Sequence, residues 1–377
     1  MGDCMKVGFV PWEYPPRIYG GLGIHAYELS KRLRKYVELE IFVPEIEEGV
    51  NKTPSLNLDW LELIANDELL RWGENIRFMG DVIGYGVSSA TLALEKDVEL
   101  IHCHEWLSAF SGLSLKGKVP FLITMHSTEI GRGTGSNVIL EIEKRACIYA
   151  ERVITVSMAM KNELLAIGCP ADKIEVIYNG IDTEKYRKVV DETVPAKYGI
   201  EGDYIIFVGR LEPVKGVDLL LRAFSMVDGS IKLVIVGVGS QEAYLRELAE
   251  SLNVKDRVVF INKFIPEYDK IALYSNSLCS VFPSRYEPFG IVVLEAMATE
   301  TAVICSNVGG MREIVQNDIS GILAEKDSLE SLKSAIMRVT EDSELRKKIS
   351  RKARERAIEF DWEKIAEKTF EVYKRSL

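Results

Sequence analysis

Residues Ser284–Ala296 read SRYEPFGIVVLEA and hold two glutamates eight residues apart, Glu287 and Glu295. Glu287 precedes a Pro-Phe-Gly turn, and the apolar run that begins at Gly290 predicts a helix. The first N–H groups of a helix have no intrahelical acceptor and, with the helix dipole, favour an anion. Glu295 lies among apolar residues, where a carboxylate needs hydrogen-bond donors. Two ribose hydroxyls would supply such donors, so this stretch favours a nucleotide-sugar site over two solvated glutamates.

Outward from this stretch, short apolar runs alternate with amphipathic segments in two series. The first series is KVGFV, ELEIFV, ELIHC, PFLITM, RVITV and IEVIY, and the second is YIIFVG, KLVIVG, RVVFI, LCSVF and AVICS. Buried strands that alternate with helices predict an α/β protein with two Rossmann-like, doubly wound parallel sheets. A charged stretch, residues 182–202, separates the series. We therefore predict domains over residues 1–190 and 198–360, with a ligand in the cleft between them.

Composition narrows the function classes. The chain has 377 residues, 47% hydrophobic and 28% charged, which is typical of a soluble protein with two cores. A net charge of −10 without any block of Lys or Arg disfavours nucleic acid as a partner. Six scattered cysteines without a Cys-x-x-Cys pair indicate reduced thiols in a cytoplasmic protein. No apolar run approaches the roughly 18 residues of a membrane span.

A glycine-rich loop and the histidines also follow predicted strands. The segment PPRIYGGLGIHAYEL places Gly20 and Gly21 before a helix, which suits either an anion or a plain tight turn. It does not match G-x-G-x-x-G, so a nicotinamide cofactor is disfavoured. The four histidines are His25, His102, His104 and His126. Because they lack the H-x-x-x-H spacing of a helical zinc site, we predict no metal. We expect His102 in the core and His126 near a ligand.

The segment FVGRLEPVKG begins the second series with two cations after a strand. Arg210 offers a fork of donors and Lys215 a point charge, and together they suit a diphosphate. A solvated loop with ordinary charges would have the same spacing, so both interpretations stay open from this segment alone.

Together these motifs resemble the retaining family 4 glycosyltransferases, which have the two-domain GT-B fold. EPFGIVVLEA is similar to their E-x7-E motif, GRLEPVKG to their Arg…Lys diphosphate clamp, and YNGID at Tyr178–Asp182 to the segment before their linker. PPRIYGGLGIHAYEL and IHCHEW look most like the glycogen and starch synthase branch, although Glu105 stands where that branch has Asp. The resemblance covers essentially the whole chain and is specific for the superfamily, not for the acceptor.

The resemblance implies roles for matching positions. Catalytic roles in it fall on Glu287, Arg210, Lys215 and His126, with the two cations on the leaving diphosphate, and Glu287 and His126 on the transferred sugar. Donor-binding roles fall on Gly20, Gly21, Phe289, Gly290, Ile291, Val292 and, at the ribose, Glu295. Candidates for contact with the acceptor or the sugar are His104, Glu105 and Asn179. A C-terminal helix, 361–377, is expected to cross back onto the first domain.

The implied activity is transfer of a hexose, most readily glucose, from UDP- or ADP-glucose to an acceptor hydroxyl such as that of an α-1,4-glucan. Because the chain contains no Asp-x-Asp, we expect neither a metal at the diphosphate nor any cofactor. Alternatives are transfer to a lipid-linked or small acceptor, or a nucleotide-sugar epimerase on the same fold. A non-catalytic sugar-binding protein and a hydrolase fit less well, because the cations beside the two glutamates suit a phosphate donor.

Overall fold

The structure is a computed structural model that describes residues 4–18, 20–44, 51–52, 67–227 and 229–377. It divides into two compact units. The first comprises Met1–Tyr178 with Trp362–Leu377, and the second comprises Asn179–Asp361.

The first unit is built on a parallel sheet whose strands are short, apolar runs. Among the described residues the sheet has the order β3-β2-β1-β4-β5-β6-β7. The strands are β1 Lys6–Val10, β2 Glu38–Val43, β3 Asn51–Lys52, β4 Leu100–His104, β5 Phe121–Met125, β6 Arg152–Thr155 and β7 Ile174–Val176. Every residue of β4 and β5 is buried, as expected for central strands covered on both faces.

Helices connect these strands, and several begin at a side-chain cap. They are α1 Gly21–Leu33, α2 Asp67–Glu95, α3 Ala109–Ser114, α4 Glu129–Arg132, α5 Asn137–Tyr149 and α6 Met158–Ala166. Ser136 Oγ accepts from the N–H of Ile139 at the start of α5, and Ser157 Oγ does the same for Met160 in α6. These bonds satisfy donors that a helix start would otherwise leave open.

The second unit repeats the plan with the strand order β10-β9-β8-β11-β12-β13 in its described part. Its strands are β8 Tyr204–Val208, β9 Lys232–Val236, β10 Val258–Ile261, β11 Cys279–Phe282, β12 Ala302–Ser306 and β13 Ile322–Ala324. Its helices are α7 Thr193–Lys197, α8 Val217–Phe224, α9 Glu242–Ser251, α10 Glu267–Asn276, α11 Ile291–Ala298, α12 Met311–Ile314, α13 Leu329–Glu341 and α14 Ser343–Ala357. Because β8 pairs with both β9 and β11, the strand order reverses at β8 and β11, where ligands of such sheets bind.

The last helix, α15 Trp362–Lys374, belongs to the first unit, where the resemblance placed it. Trp362 and Tyr373 are buried in the core of that unit. Lys35 Nζ lies 2.6 Å from Glu363 Oε2, so α15 is also joined to the chain just after α1 by an ion pair.

The predicted strands are all present, and the prediction of two doubly wound sheets is confirmed. The sequence analysis did not predict β3 or β13, which have two and three residues. The first unit ends at Tyr178, earlier than the predicted boundary. Residues after it pack on the second unit, since Arg354 donates to the carbonyls of Thr183 and Tyr186.

Candidate active site

The ends of β8 and β11 bring two predicted residues into contact. A 3-10 turn, Pro213–Lys215, follows β8 and presents Lys215. Lys215 Nζ lies 2.6 Å from Glu287 Oε2 in the loop after β11, with 17% and 12% of the two side chains exposed. Gly216, with φ of +67°, makes this approach possible, because a Cβ there would lie 2.1 Å from the carbonyl oxygen of Pro283.

A glycine pair that the sequence analysis missed holds the backbone of Glu287. The N–H of Gly310 donates to the Glu287 carbonyl at 3.1 Å. Gly309 has φ of +48°, and a Cβ on it would lie 1.9 Å from the same oxygen. The available signal was the Gly-Gly dipeptide shortly after β12, a common mark of a tight turn.

Helix α11 begins where the sequence predicted. Gly290 caps it with φ of +110°, a conformation that favours glycine. The N–H groups of Val293 and Leu294 bond to the Gly290 carbonyl. Ile291 and Val292 precede them in the first turn, whose N–H groups suit an anion.

Phe289 is buried beside the start of α11, which keeps the Pro-Phe-Gly turn in place. Arg210 is exposed to solvent just after β8.

Glu295 is buried on α11 and its donors come from the protein. Its Oε1 accepts from the Tyr186 hydroxyl and from Lys270 Nζ, each at 2.9 Å. Its Oε2 lies 3.5 Å from the Tyr274 hydroxyl. Burial raises the pKa of Tyr186, so its hydroxyl stays protonated, and its single proton is shared between Glu295 and Glu267 Oε1, which lies 2.6 Å from the hydroxyl oxygen. The need for donors that suggested a ribose is therefore met within the unit, and the ribose contact stays a prediction.

The glycine loop of the first unit also has an internal partner. Glu13 Oε2 accepts from the N–H groups of Gly20 and Gly23, both at 3.2 Å. Gly21, which lies between these two residues, begins α1. A carboxylate thus occupies the position where we predicted a donor phosphate, which indicates that the loop suits an anion.

Glu105, a predicted candidate, is buried beneath the backbone of His126. Its Oε1 accepts from the N–H groups of His126 and Ser127 at 2.5 and 2.7 Å. The backbone φ of Glu105 is +64°, which residues other than glycine rarely adopt. Such backbone strain is often found at functional sites. Burial raises the pKa of Glu105 to about 7, although the guanidinium of Arg132, 3.4 Å from its Oε2, lowers that pKa. Sequence reasoning missed Arg132.

The histidines divide into one satisfied core residue and a group of three. His102 bonds through Nδ1 to Tyr373 and through Nε2 to Thr124, both at 2.7 Å, so it has the core role that we expected. His25, His104 and His126 each offer a ring nitrogen within 4.8 Å of the others. Burial lowers the pKa of His104 and of His126 well below the usual range. Asn179 is buried in the second unit.

Comparison with known families and proteins identifies the chain. The model of "Glycosyltransferase Family 4" matches residues 19–185, and that of "Glycosyl transferases group 1" matches residues 191–356. An uncharacterized glycosyltransferase of Methanocaldococcus jannaschii is 35% identical, over 98% of each chain. The chain belongs to the family 4 glycosyltransferases.

Two further relatives of this glycosyltransferase carry specific names. The glycogen synthase of Mycobacterium tuberculosis is 29% identical over 98% of this chain and 94% of its own length. The alpha-maltose-1-phosphate synthase of Mycolicibacterium smegmatis is 30% identical over 98% of this chain and 99% of its own.

The solved structure of Anabaena HepE in complex with UDP-glucose superposes on this glycosyltransferase with a TM-score of 0.81. It covers 98% of this chain and 100% of its own at 20% identity, which shows the GT-B fold. Over the residues that the structure describes, this glycosyltransferase contains no helix that is long and apolar enough to cross a membrane.

Proposed function

We propose that the protein is a retaining glycosyltransferase that moves glucose from a nucleoside diphosphate to a hydroxyl of an α-glucan. The observation that carries this proposal is the ion pair between Lys215 and Glu287 beside the start of α11. It combines a cation for the departing diphosphate, a carboxylate for sugar hydroxyls and the first-turn N–H groups of α11 for a phosphate.

The pair also supplies a route for donor binding. A diphosphate that binds next to Lys215 replaces Glu287 as the ion-pair partner of the ammonium group. The Glu287 carboxylate can then accept hydrogen bonds from sugar hydroxyls. Both side chains are largely buried, so the exchange takes place where charge interactions are stronger than in water.

The proposed chemistry follows from these groups. When the anomeric C–O bond breaks, the sugar becomes positive and the leaving phosphate negative. Lys215, Arg210 and the first turn of α11 stabilise that phosphate. The acceptor hydroxyl attacks the same face of the sugar and gives its proton to the leaving phosphate oxygen, which retains the anomeric configuration. This route needs no metal at the diphosphate.

Donor and acceptor preferences draw on the relatives. HepE was solved with UDP-glucose, which supports a glucosyl donor and UDP as its carrier. The glycogen synthase relative supports a glucan acceptor. The alpha-maltose-1-phosphate synthase relative favours a second candidate, since forming that product from a glucose donor requires glucose 1-phosphate as acceptor.

Release of nucleoside diphosphate tests the proposal. The protein is incubated with UDP-glucose or ADP-glucose, alone and with glycogen or glucose 1-phosphate. We expect release that depends on glycogen. Release that depends only on glucose 1-phosphate would select the second candidate, and no release with any combination would overturn the proposal.

The stereochemistry has its own test. Proton NMR of the first product formed should show an α-linked glucosyl residue from an α-linked donor. A β-linked product would contradict the retaining mechanism while leaving the transferase activity in place.

A further inference from the structure

Three histidines from separate elements of the first unit bring ring nitrogens within 4.8 Å of one another. His25 lies on α1, His104 ends β4 and His126 follows β5. The His25 and His126 rings lie 4.4 Å apart between centroids, and the His104 and His126 rings 5.8 Å apart. They account for three of the four histidines in the chain.

Ring nitrogens of His104 and His126 are buried from solvent without a hydrogen bond to the described part of the protein. Within the described part of the chain, both ring nitrogens of His104 and Nε2 of His126 are buried and make no hydrogen bond. Phe9 closes one side of the group, with its ring centroid 4.4 Å from that of His104. Buried polar atoms are nearly always satisfied in folded proteins, so these nitrogens indicate a bound species.

The spacing of the nitrogens suits a metal ion. An equilateral triangle with sides of 4.8 Å has its centre about 2.8 Å from each corner, which is the largest distance that the three ligand atoms require. Zinc binds imidazole nitrogen at about 2.0–2.1 Å, so each ring needs to move inward by roughly 0.7 Å. Three histidines with an open fourth position form an established type of zinc ligand set.

We propose that His25, His104 and His126 form a binding site for one divalent cation of the zinc class, with the fourth position open to water. The three ligands are neutral nitrogens, which zinc, cobalt and nickel accept and which magnesium and calcium bind poorly.

A water molecule would also fit the spacing as it stands, because about 2.8 Å from each nitrogen is an ordinary hydrogen-bond distance. Cobalt titration decides between the two occupants. The Glu105 carboxyl group accepts a hydrogen bond from the N–H of His126, so any negative charge that it carries lies near the proposed cation. Arg132 offsets part of that charge from 3.4 Å.

Cobalt and zinc titrations of the chelator-stripped, full-length protein test the site. Cobalt(II) should give a visible d–d absorption that saturates at one equivalent, and zinc should abolish it by displacement. His25→Ala, His104→Ala and His126→Ala should each weaken binding by at least about 100-fold, beyond the roughly 10–100-fold that loss of an outer-shell partner causes. Cys4→Ser removes an exposed thiol, a competing zinc ligand, and should leave the titration unchanged.

A second measurement does not depend on how the variants fold. X-ray absorption of the zinc-loaded wild-type protein should show three imidazole ligands and no sulfur. Absence of a one-equivalent site in the titration would overturn the proposal and leave water as the occupant of the group. Sulfur in the zinc shell, or full cobalt binding by the folded His104→Ala variant, would also overturn it.

Discussion

Replacement of Lys215 by Met tests the central assignment, because Met is an unbranched side chain only one heavy atom shorter and carries no charge. Lys215 Nζ makes a 2.6 Å contact with Glu287, and its side chain is 17% exposed. A phosphate oxygen that replaces the carboxylate would meet the ammonium at a similar distance. At about 4 Å between charge centres and an effective dielectric near 20, the interaction is about 4 kcal/mol.

Only part of that interaction accelerates the reaction. In the free protein the Glu287 carboxylate already neutralises the charge of Lys215. Donor binding therefore replaces one anion by another, and the binding free energy gains little from Lys215. The gain comes as charge develops on the leaving oxygen. Loss of a single preorganised donor at such a site costs about 2.7–4 kcal/mol, or about 100- to 1000-fold in kcat. We therefore expect Lys215→Met to lower kcat by that factor and to change KM for the donor by less than about tenfold.

The variant should also lose some stability, because Glu287 loses its ion-pair partner in a largely buried position. Pairs of this partial exposure fall between surface and buried ion pairs, so we expect a loss of about 1–3 kcal/mol in the free energy of unfolding. Steady-state release of nucleoside diphosphate measures kcat and KM, and urea denaturation measures stability.

Lys197→Met provides a matched control in the same unit. Lys197 Nζ lies 2.6 Å from Asp269 Oδ2, so the control removes a Lys–carboxylate pair of the same length, with 56% of the Lys197 side chain exposed against 17% of the Lys215 side chain. It should keep kcat within about twofold of wild type. A folded Lys215→Met variant with kcat within about threefold of wild type, or equal loss in both variants, would refute the role of Lys215 in stabilising the leaving group.

Four further predictions concern carboxylates and metal ions. Burial raises the pKa of Glu105 to about 7, so folding favours its neutral form and its contribution to stability is lost as pH rises from the ordinary value of 4.5 toward 7. Urea denaturation should show Glu105→Gln gaining up to about 3 kcal/mol on wild type over that window, and a constant difference would contradict the shift. Glu295→Gln should weaken donor binding, with a smaller loss for a 2′-deoxyribose donor; equal losses would mean that Glu295 does not hold the ribose. Glu13→Gln should lower the Kd for nucleoside diphosphate in calorimetry, because it removes an anion that competes for the N–H groups of Gly20 and Gly23, and a higher Kd would contradict competition. Transfer should persist in excess chelator, and loss of activity that manganese or magnesium restores would contradict the metal-independent mechanism.

The sequence predicted those parts of the site that depend on the order of strands. Lys215 and Glu287 follow the strands β8 and β11, and adjacent parallel strands bring their carboxyl ends to one edge of a sheet. The start of α11 was predicted for a similar reason, because Gly290 interrupts the pattern just before an apolar run. Once the strand order places β8 next to β11, residues that follow these strands lie at the same edge of the sheet.

The partners of Glu295 and of the histidines were beyond this reasoning. Tyr186 lies 109 residues from Glu295 in the chain, in a charged stretch that shows little periodicity and that we assigned to a linker. Each of the three histidines followed its own strand or loop and, taken singly, looked like an isolated strand-end residue. Only the packing of α1 against the ends of β4 and β5 makes them one group.

Three positions assigned to the donor already hold internal substitutes for it. The Glu287 carboxylate stands next to Lys215 as a phosphate would, and that of Glu13 lies on the Gly20 N–H. At Glu295, a hydroxyl and an ammonium donate as ribose hydroxyls would. Each substitute removes the cost of leaving a polar group unpaired in the free protein, which is about 1–3 kcal/mol for a buried group. Donor binding at these positions then becomes an exchange of partners with a small net gain, and a ligand that lacks one matching group displaces a partner without replacing it. Each of these positions should therefore contribute more to selection among donors than to the affinity for any one of them.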